Sequence, residues 1–135
     1  MKRYIDWQVR LLALTESLQE VPFEWGEHDC CLFAADVVAA MTGEDYAEPF
    51  RGKYTTEEGA KKLLEEKGGL VAYIDSVLPQ KDVNFAQRGD VVLVTTDLGD
   101  TLGIFWSMGQ VWLHAPEGVK LFPRMKSKIT KAWGV

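Results

Sequence analysis

Two adjacent thiols, Cys30 and Cys31, are the residues of this sequence best placed for covalent chemistry. They follow a glycine-bearing segment, residues 22–29, and open a predicted helix. Unpaired backbone N–H groups and the helix dipole at such a position favour the thiolate, which is the nucleophilic form of cysteine. Cys30 is therefore interpreted either as a nucleophile or as a buried, inert core thiol, and Cys31 as a packing residue.

A cysteine nucleophile needs a base, and the sequence contains two histidines, His28 and His114. His28 lies two residues before Cys30 and reaches the thiol only locally. His114 lies on a predicted strand, where it is either a half-buried structural histidine or a catalytic base. The acidic residues around Cys30 oppose a thiolate, because nearby negative charge raises the pKa of a thiol.

The first half of the chain predicts four helices, which must position these groups. In the first helix, the apolar stripe comprises Ile5, Val9, Leu12 and Leu18 and is broadened by Trp7, Leu11 and Leu14. In the second, Cys30, Phe33, Ala34, Val37, Val38 and Met41 form the apolar stripe. The first two predicted helices span residues 3–19 and 29–42, the second with Asp29 as its cap. The third extends from a capping box at 55–58 to the glycines at 68 and 69, and the fourth spans residues 70–78.

The second half changes to short β-branched and apolar runs separated by turn residues. Helices followed by an antiparallel meander predict an α+β fold, with the helices packed on one face of the sheet. The predicted strands are residues 91–96, 102–106, 111–115 and 119–122. The pattern of the tail from 126 to 135 is ambiguous, and one more edge strand is one interpretation of it.

Composition sets limits on the function. The 135 residues, with 47% hydrophobic residues, predict a single globular domain over residues 1–135. The net charge of −5 argues against a nucleic-acid binder with a basic surface. No apolar run is long enough for a membrane span, and the N-terminal segment does not resemble a secretory signal, so we expect a cytosolic site of synthesis. The thiols lack metal-ligand spacing, and neither a metal nor a cofactor is predicted.

Charge is distributed unevenly along the chain. The stretch between Arg10 and Arg51 holds nine acidic residues and no lysine or arginine, whereas the segment from Lys120 onward holds five basic residues and no acidic one. These segments are interpreted either as ordinary solvated surface or as a two-signed surface that docks partner proteins. Within the second helix, Asp36 is expected to pair with Arg51 or Lys53.

Three short segments carry a resemblance to a known family. Trp25-Gly26, Asp29-Cys30 and the Gly-Asp-Val-Val run at 89–92 together resemble the NlpC-type cell-wall hydrolases. These are papain-like cysteine peptidases that cut peptidoglycan stem peptides. The resemblance extends from about residue 22 to residue 122, and it implies a papain-like NlpC-type fold.

The chain looks still more like small phage and prophage tail-tip proteins with a W-G-x-H-D-C motif. The matching segments are residues 25–36, the Arg-Gly-Lys-Tyr run at 51–54 and the Ala-Trp pair at 132–133. This resemblance implies synthesis in the host cytoplasm and incorporation into the virion tail. It also implies phage tail hub or distal tail proteins as partners, together with peptidoglycan.

Carried over residue by residue, the hydrolase pattern is incomplete. Cys30 matches the nucleophile, but Thr101 stands where the hydrolases have the histidine base, and a hydroxyl cannot accept the thiol proton near neutral pH. His114 falls near the third, orienting position, and Phe23 stands where a tyrosine is expected. The resemblance also implies a substrate-binding role for Trp25, Gly26 and Asp29.

Three functions follow from these observations. The first is a structural or adaptor protein of a phage tail tip with a degenerate catalytic site. The alternative is an active cysteine peptidase or amidase that uses Cys30, with His114 or His28 as a non-standard base, to open peptidoglycan during genome delivery. In the third, the groove binds a peptide or glycan strand without turnover.

Overall fold

The computed structural model describes residues 2–97 and 99–135 and shows helices packed on a six-stranded antiparallel sheet. The sheet order is β1-β6-β2-β3-β4-β5, so β2 and β3 lie at its centre. The predicted α+β class is confirmed. The elements are α1 (Trp7–Ser17), α2 (Cys30–Thr42), α3 (Glu57–Glu65), α4 (Leu70–Val77), β1 (Gln80–Lys81), β2 (Val91–Thr96), β3 (Gly99–Phe105), β4 (Val111–Ala115), β5 (Gly118–Phe122) and β6 (Ile129–Trp133).

The central helix α2 packs against β3 and fixes the position of the thiols. Asp29 caps it with a side-chain oxygen that accepts the Leu32 N–H, and Gly43 ends it in the left-handed conformation. Its predicted core stripe is buried except at Cys30, which is partly exposed. Helix α3 is capped by Thr56, which accepts the Gly59 N–H, one residue after the Thr55 that begins the predicted capping box. Glycine at the third helical position has no side chain to complete such a box.

Helix α1 buries only part of the predicted apolar stripe: Leu18 and the residues that broaden it. It begins at Trp7 rather than at residue 3, and the expected core positions Ile5, Val9 and Leu12 are exposed, Ile5 completely. Residues on the opposite side of the helix pack on the core. Their spacing of four, three and four residues keeps them on one face of the helix. The core-facing residues of this segment are Trp7, Leu11, Leu14 and Leu18.

The tail strand β6 is not an edge strand, contrary to the prediction. It pairs with β2 on one side and with β1 on the other. The edge is β1, which consists of Gln80 and Lys81 only and is too short for any hydrophobic period to reveal it. Trp133 of β6 is fully buried in the main core between the helices and the sheet.

The sheet has a second apolar cluster on the face turned away from the helices, formed by the alternate residues of the central strands and covered by the segments around residues 83–86 and 125–129. Within the two described ranges, no helix combines the length and the apolar character that crossing a membrane requires.

Candidate active site

Both thiols lie in the first turn of α2 and line a cavity of about 460 Å³. The other walls of this cavity come from the segment between α2 and α3, from α3 and α4, and from Gly99 and Asp100 at the start of β3. Cys30 and Cys31 are each partly exposed. The thiol predicted as a nucleophile is therefore open to a ligand rather than sealed in the core.

Four groups act on the Cys30 thiol. A hydrogen bond from Cys31, with the two Sγ atoms 4.0 Å apart, is the strongest influence that lowers its pKa. The Leu102 N–H and the Thr101 hydroxyl also lower this pKa, while burial and the charge of Asp29 raise it. The net result is a Cys30 pKa of about 7.

The acidic surroundings oppose the thiolate, as the sequence predicts, but they do not decide the state of Cys30. Asp29 does raise the pKa of this thiol, but its contribution is smaller than those of the hydrogen-bond donors. Cys31 is affected in the reverse sense. Because it donates to Cys30 and its surroundings desolvate it, its pKa is raised well above the ordinary value. The hydrogen bond between the two thiols thus lowers the pKa of Cys30 and raises that of Cys31.

Thr101 lies beside Cys30, where the family pattern has its base. No imidazole is among the groups that act on this thiol within the described residues. Thr101 can donate a hydrogen bond to a thiolate, but its hydroxyl cannot remove a proton from the thiol at neutral pH.

His114 is buried on β4, with 7% of its surface exposed. Its Nδ1 lies 2.8 Å from the Ala115 carbonyl oxygen and must donate there, because a carbonyl only accepts. The Nε2 atom is buried and has no hydrogen-bond partner among the described residues. The rings of Phe23 and Phe33 stand edge-on to the imidazole, at 5.7 and 6.4 Å between centroids.

His28 lies on the same side as His114, with 6.4 Å between the two ring centroids. Burial raises the pKa of Asp36 on α2, and the neighbouring Arg51 and His28 oppose that rise. Neither histidine acts on Cys30 in this arrangement. Their catalytic roles remain predictions.

The segment before α2 is held by Asp29, which is 1% exposed. One carboxylate oxygen accepts the Leu32 N–H at 2.9 Å. The other accepts the Gly26 N–H at 3.0 Å and the Tyr54 hydroxyl at 2.5 Å. Since burial and these three donors occupy the carboxylate, Asp29 positions the thiol-bearing turn.

Trp25 and Gly26 contribute in different ways. Trp25 lines the cavity and packs edge-on against Phe23 at 4.9 Å between centroids. Gly26 adopts a φ of +86°, and a Cβ there would lie 2.0 Å from the Tyr54 carbonyl oxygen. Only glycine allows this close approach. The substrate-binding roles predicted for these residues and Asp29 are not tested by the geometry.

We expect Asp29→Ala to lower the free energy of unfolding by about 2–3 kcal/mol, because it removes a helix cap and two further hydrogen bonds to a buried carboxylate. Urea denaturation measures the loss. Thr56→Ala, which removes a cap with a single acceptor contact, is the matched control and should cost about 1 kcal/mol. Equal losses in the two variants would contradict the positioning role of Asp29.

Sequence reasoning did not assign roles to the tyrosines of the cavity wall. Tyr54 donates to Asp29, and Tyr73 donates to the Tyr46 carbonyl oxygen at 2.5 Å. The Tyr46 hydroxyl oxygen is buried and has no partner among the described residues. Burial, followed by the nearby charges of Cys31 and Cys30, raises the pKa of Tyr46 well above its usual value.

Arg51 fastens the wall segment to α2. It contacts Asp36 at 2.7 Å, as the sequence predicts, and also Asp45 at 2.8 Å. The histidines, cysteines and acidic residues in the described ranges form no group of three or more that could hold a metal ion.

The fold and the placement of the thiol define an NlpC-like α+β domain. The chain resembles the crystal structure of the NlpC/p60 domain of the peptidoglycan hydrolase SagA, with a TM-score of 0.62 over 94% of this chain and 97% of that chain. The two are 20% identical, so the likeness establishes the fold. The chain belongs to the family described as Domain of unknown function (DUF6950), whose model matches residues 2–135. No curated protein matches its sequence.

Proposed function

We propose that this chain is an adaptor component of a phage or prophage tail tip, in which the NlpC-like fold is retained and histidine-assisted peptide hydrolysis is absent. The observation that carries the loss of hydrolysis is the contact of Thr101, rather than an imidazole, with the Cys30 thiol. Peptide cleavage needs a group that protonates the leaving amine, and a threonine hydroxyl does not do so.

The tail-tip assignment is supported by the sequence resemblance of residues 25–36 and 51–54 to small tail proteins. Exposed charge of both signs supports docking to tail hub or distal tail proteins. The acidic residues Glu16, Glu20, Glu24 and Glu27 are exposed, and so are the basic residues Arg124, Lys126 and Lys128. In this proposal the protein is made in the host cytoplasm and enters the virion during tail assembly.

We expect purified protein to release no more stem peptide from peptidoglycan sacculi than the Cys30→Ala variant does. Chromatography of the soluble products measures the release. Cys30-dependent release would contradict the loss of hydrolysis. Antibody labelling of purified particles in the electron microscope tests the location separately, and its absence from the tail tip would contradict the assembly role.

An active cysteine peptidase is a second candidate, favoured by the lowered pKa of Cys30 at an open cavity. In this case His114 or His28 would serve as the base, after a rearrangement that brings it to the thiol. Cys30-dependent release that survives both His114→Ala and His28→Ala would exclude that assignment of the base.

A further inference from the structure

The cavity beside Cys30 is apolar over most of its wall. Its volume of about 460 Å³ lies within the range of small-molecule sites, roughly 300–1,000 Å³. Such a wall favours a hydrocarbon group over the polar sugars and charged peptides of a cell wall. The aliphatic and aromatic residues that form it include Leu32, Phe50, Ala60, Leu64, Leu70 and Ile74.

Charged groups occur at the mouth of this cavity. Lys61 and Glu57 of α3 form an ion pair at 3.3 Å, with 70% and 58% of their side chains exposed. Both line the cavity, but their exposure places their charges in solvent. A ligand with an apolar tail and a polar head therefore matches the site, with the tail inside and the head at the mouth.

The groups around the Cys30 thiol determine which leaving groups can depart when this thiol attacks a carbonyl carbon. Cleavage of an amide expels an amine that must be protonated, and no imidazole acts on Cys30 to supply that proton. Cleavage of a thioester expels a thiolate, which is a stable anion, since a thiol has a pKa of about 8.5. The same thiol is thus poorly equipped for amides and well equipped for thioester exchange.

Tyr46 provides a hydrogen-bond donor near the thiols. It lines the cavity, and its buried hydroxyl lacks a partner among the described residues. A buried hydroxyl without a partner is costly, and an oxygen atom of a ligand would satisfy it. The carbonyl oxygen of an acyl group attacked by Cys30 gains negative charge, so a donor here stabilises the transition state.

We propose that Cys30 accepts a medium-length acyl chain from an acyl thioester, with the chain lying in the apolar cavity. The Cys30 thiolate attacks the thioester carbonyl carbon, a new C–S bond forms, the donor C–S bond breaks, and the donor leaves as a thiolate that takes a proton from water. Because no base beside Cys30 activates water, the acylated protein accumulates. This activity is separate from the proposed adaptor function and does not depend on it.

The test compares octanoyl and acetyl thioesters of N-acetylcysteamine by intact-protein mass spectrometry, with rates normalised to protein unfolded in urea. We expect folded protein to gain one octanoyl group at Cys30, about tenfold or more faster than an acetyl group, because burial of each methylene is favourable. The Cys30→Ser variant should not be labelled at position 30. An equal normalised rate for the two donors would overturn the proposal.

Two wall variants test whether the cavity holds the chain. Ala60→Leu, which fills it, should abolish the octanoyl preference, and Leu64→Ala, which enlarges it, should extend the preference to dodecanoyl. Ala72→Leu on the exposed side of α4 is the matched control and should change neither. Thermal unfolding verifies that each variant is folded. Retention of the octanoyl preference in folded Ala60→Leu would overturn the proposal, and so would an unchanged chain-length preference in Leu64→Ala.

Tyr46→Phe tests the hydroxyl without altering the fold, since it removes a buried group that has no partner. We expect octanoyl transfer to slow by about tenfold or more. The rate of Cys30 alkylation by iodoacetamide should stay the same, because that reaction forms no oxyanion. Equal effects on the two reactions would contradict the donor role of Tyr46.

Discussion

Replacing Cys31 with alanine is expected to slow the alkylation of Cys30 at pH 7 by about one to two orders of magnitude. The hydrogen bond from Cys31 is the largest influence that lowers the pKa of Cys30 to about 7, so about half of this thiol is thiolate at neutral pH. Without that donor, burial and Asp29 still raise the pKa. The reactive fraction then falls to a few per cent or less, because an unperturbed thiol has a pKa of about 8.5.

The matched control is Cys31→Ser, whose hydroxyl still donates to the sulfur of Cys30. The rate of reaction with iodoacetamide, followed from pH 5 to pH 10 with the labelled residue identified by mass spectrometry, separates the variants. Reactivity rises with pH through the Cys30 pKa, so wild type and Cys31→Ser should level off above about pH 8, whereas Cys31→Ala should still be rising there. A common midpoint in all three proteins would show that Cys31 does not activate Cys30.

The adjacent cysteines show how far local sequence determines this site. The position of Cys30 at the start of a helix, and the occurrence of Thr101 where a base is expected, both follow from patterns within a few residues. The donor role of Cys31 does not follow from such a pattern, because it depends on the directions in which the Cys30 and Cys31 side chains point. The opposing strand β3 contributes to the same environment, since Leu102 and Thr101 also lower the pKa of Cys30.

The difference between local patterns and distant contacts also explains why two features of the fold, in α1 and β6, were predicted wrongly. In α1, two apolar stripes are available, and helical periodicity alone cannot say which one meets the sheet. The interior position of β6 depends on β1, a two-residue strand that is recognised only through the pairing of Gln80 and Lys81 with Trp133 and Ala132 of β6. By contrast, the caps of α2 and α3 are local: Asp29 could be predicted from its spacing alone, and the cap of α3 lies within one residue of its predicted position.

The cavity was the least predictable feature because its wall comes from a loop. The segment between α2 and α3 places Tyr46 and Tyr54 beside the thiols by means of long-range contacts, including the hydrogen bond from Tyr54 to Asp29 and the ion pairs of Arg51. The sequence marks residues 51–54 as part of a resemblance and predicts only the pairing of Arg51 or Lys53 with Asp36. Their physical role is to hold the loop against α2, where it forms one wall of the cavity beside the thiols.

The second large effect is expected for Asp90, the acidic residue of the Gly-Asp-Val-Val segment. Asp90 is 1% exposed and joins parts of the chain that are distant in sequence. Its Oδ1 contacts Arg3 at 3.3 Å and accepts the Val135 N–H at 3.2 Å. Its Oδ2 contacts Lys81 at 2.8 Å and accepts the Gln87 N–H at 2.8 Å. Both ends of the described chain are thus held at the start of β2.

Asp90→Asn should lower the free energy of unfolding by about 3–5 kcal/mol, because removing one member of a buried ionic cluster leaves its partners without compensation. The asparagine amide also presents donors where four donors already converge. Urea denaturation measures the loss, and Asp97→Asn, at an exposed aspartate in the turn after β2, should change stability by less than about 0.5 kcal/mol. A loss below about 1 kcal/mol for Asp90→Asn would mean that Arg3 and Lys81 regain their hydration without penalty. The Asp90 cluster would then contribute little to closing the two chain ends around the core.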